Sequence, residues 1–341
     1  MMNSIKKHIF SLAIATASMG AWAADGSTAY NFLDVTTSTH VYGLGGVNIS
    51  TVADDINITD QNPALLGPEM DKQLGLNYMY YMGESNFAGA KFASQAHEHG
   101  AWAIGIRYFG YGKMQSADSD GTITGTFSAH DIAFNATYSH DITDCLRGGI
   151  NIKAVYSAYE QYSALALATD LGVNYYNPDN DLSLSAVVAN LGGQVKRFDE
   201  SYDRLPIDVR LGWTQSFGSL PIRFSVTAWN LTKWSLPYYE TGDGTSNEAP
   251  KLKESFSTNL FRHLIFAADF VPSERFHIGI GYNYKTRTDM KTYSRNFLSG
   301  FSVGAGLNTS KMGFGIALSQ HHVGGLTFMF NLTANINEFI Q

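Results

Sequence analysis

From Leu74 almost to its last residue the chain alternates between a large apolar side chain and a polar or small one. Leu74, Leu76, Tyr78, Tyr80 and Met82 stand against Gly75, Asn77, Met79, Tyr81 and Gly83. Ile150, Ile152, Ala154 and Tyr156 stand against Gly149, Asn151, Lys153 and Ser157, and Phe301, Val303, Ala305 and Leu307 against Ser302, Gly304, Gly306 and Asn308. A period of two is the period of a β-strand, whose side chains point to opposite faces in turn. No stretch approaches the ~18 uncharged apolar residues of a membrane-crossing helix. Backbone groups in hydrocarbon must then be satisfied between strands closed into a ring. The pattern predicts about 14 such strands, an even number suited to an up-and-down antiparallel transmembrane β-barrel.

The connections alternate as well. With the Leu74 strand running outward, one end receives brief turns at His97-Glu98, His140 to Thr143, Asn177 to Asn180, Gly218-Ser219, Val271 to Ser273 and Thr309-Ser310. The other receives the longer segments Gly110 to Gly125, Leu191 to Leu205, Thr232 to Ser257 and Thr286 to Asn296. Short periplasmic turns and longer external loops are the habit of outer-membrane barrels, and a soluble sandwich gives no reason for it. Charged residues are 16% of the chain, below the ~25% of soluble domains. Tyr138, Tyr156, Tyr175, Trp213 and Tyr284 fall near strand ends, where a ring with one polar atom sits between hydrocarbon and headgroups.

Ahead of the alternation lie two further segments. Residues 1–23 read as a signal peptide: Lys6 and Lys7, an apolar run from Ile9 to Met19, and Ala21-Trp22-Ala23 as the cleavage site. Residues 24–72 read as an N-terminal arm or plug, and 73–341 as the barrel. Within the arm a Gly-rich turn precedes a strand-like Val47 to Ser50, and Asn62 to Leu66 forms a turn into a short apolar stretch with local helix. The dense glycines at 279, 281, 304, 306, 313 and 315 suggest something packed close against the inner wall. Both termini of the mature barrel are expected in the periplasm.

The net charge of -7 makes nucleic acid an improbable partner. The one cysteine, Cys145, excludes an intrachain disulfide and a multi-thiolate zinc site. His97, Glu98 and His99 share a tight turn without the i, i+4 spacing of a metallohydrolase, as does the pair His321-His322. His130 and Asp131 point to opposite faces of one strand, and no other Ser, His and Asp trio converges. Gly43-x-Gly45-Gly46 lacks the βαβ context of a dinucleotide site. No catalytic site, metal or cofactor is expected. Arg107, Asp131, Lys153, Asp208, Arg210, Arg223 and Asp269 fall on the less apolar faces, where charges line a lumen or pair to hold a plug. The strongest binding surface is external: Trp234, Tyr238 and Tyr239 beside an acidic, Gly-rich tip and Lys251 and Lys253, a mixture that protein interfaces use as anchors.

The arm carries a recognisable signature: Asn31-Phe32-Leu33, then Gly43-Leu44-Gly45-Gly46-Val47-Asn48-Ile49-Ser50, Asp54-Asp55, and Gln61-Asn62-Pro63-Ala64-Leu65-Leu66. It resembles the PorV/PorQ group of FadL-like outer-membrane barrels, and within it the PorQ branch of the type IX secretion system of Bacteroidota. The resemblance implies a 14-stranded barrel with a plug and a non-enzymatic role. That role is anchoring the cell-surface attachment complex, with a PorZ-type surface protein and PorU- and PorV-type proteins as partners, next to outer-membrane lipid and lipopolysaccharide. Two alternatives stay open: a FadL-like channel for hydrophobic small molecules, and a PorV-like shuttle that binds cargo proteins.

Overall fold

The computed structural model describes residues 30–117, 122–199, 202–217, 220–240, 251–273, 275–290, 298–322 and 325–340. The signal peptide expected over residues 1–23, and the N-terminus expected in the periplasm, lie outside the described residues.

The alternating segments form β1 (Gln73–Met82), β2 (Ser85–His97), β3 (Gly100–Ala117), β4 (Ile123–Thr143), β5 (Leu146–Tyr159), β6 (Tyr162–Asn177), β7 (Leu182–Lys196), β8 (Asp208–Ser216) and β9 (Ile222–Ala228). A short external hairpin, β10 (Tyr238–Glu240) and β11 (Lys251–Lys253), precedes β12 (Leu264–Ser273), β13 (Phe276–Asn283), β14 (Phe301–Asn308), β15 (Met312–His322) and β16 (Gly325–Asn335). All but β10 and β11 join one closed antiparallel barrel of 14 strands. Closure comes from β1 against β16, with Leu76 opposite Leu332 and Tyr78 opposite Phe330. Closing the ring leaves no edge with stranded backbone groups.

The apolar face of each strand points out. Ile104, Phe134, Ile152, Leu167, Leu211, Phe224, Ile280, Val303 and Ile316 are exposed, while Arg107, Asp131, Lys153, Asp170 and Asn331 point in and are buried. A water-soluble core is the reverse, and this inversion marks a lipid-facing wall. Two of the long connections contain more strand than expected. β3 runs on to Ala117 and β4 starts at Ile123, so the segment from Gly110 is mostly a raised hairpin, and β7 continues to Lys196.

The chain from Tyr30 to Lys72 lies inside the ring. It starts level with Phe109 and Leu205, towards the long connections, and ends at the turn end, where Ile336 N–H donates to the Lys72 carbonyl beside the C-terminal helix Asn337–Ile340. Its one α-helix, α1 (Thr39–Gly43), is capped by the Ser38 side chain, which accepts from Val41 N, the usual device at a helix start. Gly45 and Gly46 end it at φ +103° and +88°, left-handed conformations that favour glycine. The strand expected at Val47 to Ser50 does not form. Asn48 instead folds back, its Oδ1 accepting from Ser50 N and Thr51 N, and this local turn takes the place of a ladder.

Candidate functional site

An irregular segment inside a barrel brings backbone N–H and C=O groups that secondary structure does not satisfy. The inward Asn, Ser and Thr residues of the wall supply the partners. Asn331 accepts from Thr39 N (3.1 Å) and donates to the Thr37 carbonyl (2.9 Å). Ser302 Oγ donates to the Gly43 carbonyl (2.9 Å) and Ser139 Oγ to that of Leu66 (2.6 Å). The wall glycines give the segment room. A Cβ at Gly281 would lie 2.2 Å from Gly45 N, and one at Gly149 would lie 2.4 Å from the Pro63 carbonyl carbon. Backbone packs on backbone at both places; Gly281 belongs to the dense run named from the sequence and Gly149 does not.

Residues of the N-terminal signature make several of these contacts. Gly43 abuts Gly304. Asn62 caps the short 3-10 turn Pro63–Leu65 through Ala64 N and donates Nδ2 to the Ile49 carbonyl (2.9 Å). Pro63 and Ala64 fill the space over Gly149 and Gly172. Asp55 caps the turn Ile56–Asp60 and accepts from Ser38 Oγ, while Asp54 accepts from Gln73 Nε2 (2.9 Å) at the start of β1.

Charge pairs fix the segment midway along the ring. Lys91 on β2 meets Asp60, and its Nζ also donates to Thr59 Oγ1 (3.0 Å). Burial alone would raise the Asp60 carboxyl, but Lys91 and Arg107 outweigh it and hold the group down at about 2. Arg210 bridges Asp208 of its own strand (2.7 Å) and Asp34 of the segment (2.8 Å), and donates to Gln61 Oε1 (3.0 Å). His40 Nε2 meets Asp269 (2.7 Å), which Arg223 also reaches (3.0 Å). Lys153 pairs with Asp170 within the wall (2.7 Å). The sequence pattern indicated the wall members Arg107, Lys153, Asp208, Arg210, Arg223 and Asp269. It missed Lys91 and Asp170, and Asp34, His40 and Asp60 of the segment, which has no periodicity to say what faces what. Such pairs are costly to break singly, at about 3–5 kcal/mol, because one buried charge is left alone.

Further towards the long connections the lumen turns aromatic. Met79, Phe87 and Phe109 share one hydrogen-bonded row of β1, β2 and β3, and Tyr30, Phe32, Leu33, Tyr42 and Leu205 pack on them. Half-buried Tyr81 and Tyr111 sit above, and Tyr159 stacks on Phe198 with centroids 4.9 Å apart. Tyr111 and Tyr159 both donate to Asp131, at 2.6 and 3.0 Å, which explains how a buried carboxylate is tolerated beside so much hydrocarbon.

The expected external anchors lie elsewhere. Tyr239 is exposed on β10; Tyr238 sits under Arg262, whose guanidinium carbon is 5.0 Å from the ring centre. Trp234 stacks on His263 and packs tilted against Phe256. The acidic tip between β10 and β11 lies outside the described residues. His97 is exposed at its turn, with Nε2 3.0 Å from the Tyr138 hydroxyl. Among the described residues no group of three or more His, Cys, Asp or Glu side chains is placed to hold a metal ion.

No family model matches the sequence and no curated protein does either. Among solved structures the barrel is similar to the toluene transporter TodX of Pseudomonas putida, with a TM-score of 0.54 at 12% identity over 88% of this chain and 98% of that one. The toluene transporter TbuX of Ralstonia pickettii gives 0.51 at 13% over 88% and 97%. A FadL homologue of Pseudomonas aeruginosa gives 0.51 at 12% over 88% and 98%. The fold is that of the FadL-type outer-membrane barrels. At these identities the likeness is one of architecture, and function has to be argued from this chain's own lumen and loops.

Proposed function

We propose that the protein is an integral outer-membrane barrel that admits small apolar molecules from outside into the aromatic half of its lumen, above a fixed N-terminal plug, and does no chemistry on them. The tight turns and the C-terminal helix would face the periplasm. The observation that carries the reading is the layering of the interior: half-buried Tyr81, Tyr111, Tyr159 and Phe198 lie over a fully apolar floor of Phe87, Phe109 and Leu205, with the charged pairs beneath. Apolar walls with a few placed polar groups are what small-molecule sites use. The toluene transporters TodX and TbuX share the fold, which agrees with this ligand class. The test is titration of the detergent-purified barrel with toluene, read by calorimetry. Saturable binding that weakens in Phe198→Ala is expected; heat that only tracks solvent partitioning would sink the reading.

A second reading is favoured by the N-terminal signature, some of whose residues pack the segment against the wall, and by the exposed external hairpin. In it the barrel is a PorQ-type component of a type IX secretion system that anchors a PorZ-type surface protein, with PorU- and PorV-type proteins nearby, through Trp234, Tyr238 and Tyr239. The buried pairs that hold the plug suit a barrel serving as a mount. Affinity capture from native outer membranes decides: recovery of type IX components that is lost in Tyr239→Ala supports it, and their absence with the loops intact removes it.

A further inference from the structure

The external excursion between β9 and β12 contains a helix built inside out. In α2 (Phe256–Arg262) the two buried residues are polar: Asn259 is 5% and Arg262 2% exposed, while Phe256 is 70%, Phe261 48% and Leu260 36% exposed, with Ser257 exposed among them. Ser255 caps the helix start through Thr258 N. The polar face is latched inward. Asn259 Oδ1 accepts from Leu236 N (3.1 Å). Arg262 reaches Asp289 (2.6 Å) and Thr288 of the second external helix, α3 (Tyr284–Asp289). A helix on water turns its apolar stripe to the protein; this one turns it away.

The wall beneath explains what meets that stripe. A β-strand tilted by ~45° needs about 9–11 residues to cross the hydrocarbon of a membrane. β9 has 7 residues, β13 has 8 and β14 has 8, while β12 between β9 and β13 has 10; three of the four strands of this flank thus fall short by roughly two residues, about 5 Å of height. The excursion emerges from β9, and α3 follows β13 directly. Phe261 packs edge-on to Tyr284 at 6.1 Å, and below it Tyr282 packs on Phe301 at 4.8 Å. Phe301 already belongs to the outward apolar face. The apolar surface is therefore continuous from wall to helix.

We propose that α2 lies against the outer leaflet, with Phe256, Leu260 and Phe261 at the boundary of acyl chains and headgroups, and that the short flank of the barrel is completed by this helix. Trp234, tilted against Phe256 at 5.5 Å, belongs to the same lipid contact, which leaves exposed Tyr239 of the β10–β11 hairpin as the part that can meet a protein. The occupant is lipid because the apolar stripe is continuous with the lipid-facing wall and sits where that wall is low.

The test uses the full mature barrel, with Cys145→Ser as background, reconstituted in dioleoylphosphatidylcholine vesicles. Nitroxide labels go on Phe256→Cys and Phe261→Cys, with Val303→Cys as the lipid-facing reference and Lys253→Cys as the aqueous one. Both helix sites are expected to match Val303, colliding with oxygen and losing the collision signal of a water-soluble nickel chelate. Nickel access like that at Lys253 would overturn the proposal, and so would shielding from both reagents, which would mean a protein or a second copy covers the stripe. If the labelled variants fail to fold, brominated lipid applied to the unsubstituted barrel and to Trp234→Phe answers the same question. Trp102 on the outward wall is quenched in both proteins, so a quenched fraction that falls in Trp234→Phe supports the proposal, and one that is unchanged overturns it.

Discussion

Two stretches of this chain are neither wall nor turn, and they solve opposite problems. The segment from Tyr30 to Lys72 sits in a lumen that is aromatic at one end and lined with hydrogen-bonding groups beyond it, where it buries its backbone against glycines and pairs its charges with the wall. The excursion from Trp229 to His263 sits over a low stretch of wall, hides Asn259, Arg262 and His263, and exposes Trp234, Phe256 and Phe261. Neither choice follows from hydrophobicity alone. Each follows from what the barrel puts next to the segment, a lumen lined with hydrogen-bonding groups in one case and a shortened lipid-facing flank in the other.

The comparison breaks most sharply at the lumen's charge pairs. Lys91→Met should leave Asp60 buried with Arg107 as its only nearby cation, at a cost of about 3–5 kcal/mol. The check is a lower unfolding midpoint in detergent together with new proteolytic cleavage between residues 30 and 72. Acid should do the same by degrees. The Asp60 carboxyl is held at about 2 in the folded barrel, below its ordinary ~3.9. Its stabilisation is therefore complete above pH ~4 and is lost as pH falls through 2. A pH titration of segment protection reads this, and it should vanish in Asp60→Asn.

Smaller effects follow from the backbone contacts. Gly149→Ala places a methyl 2.4 Å from the Pro63 carbonyl carbon, and overpacking of that kind costs about 1–3 kcal/mol; thermal unfolding measures it. Asn62→Ala removes the cap on Ala64 N and should cost ~1 kcal/mol, or somewhat more because the Ile49 carbonyl loses its donor. At the external end Tyr239→Ala should change stability by less than ~0.5 kcal/mol, since the ring is 66% exposed. A larger loss there would mean the hairpin is part of the fold and not a free surface.

Much of the architecture was legible because a lipid-facing strand writes its face into the sequence at every second residue. Fourteen such runs and the alternation of long and short connections specify a closed antiparallel ring. Which face looks inward follows too, and with it the wall charges Arg107, Lys153, Arg210 and Asp269. The interior partners were not legible: His40 and Asp60 lie in a segment without a period, so nothing in the sequence aims Asp60 at Lys91. The expected strand at Val47 to Ser50 failed for the same reason, because a β-prone run next to Asn48 had a local turn available and no neighbouring strand to pair with.

The sequence by itself determined the barrel, its strand number and the identity of its two faces, because a period of two and the demands of hydrocarbon leave one solution. The tertiary structure decided what fills the ring and what flanks it: the backbone contact of Gly45 with Gly281, the Arg210 bridge from Asp208 to Asp34, and the inverted helix above β13. Those depend on residues far apart in the chain meeting at a given height on a closed wall, and height is set by tilt and register, which no local pattern carries.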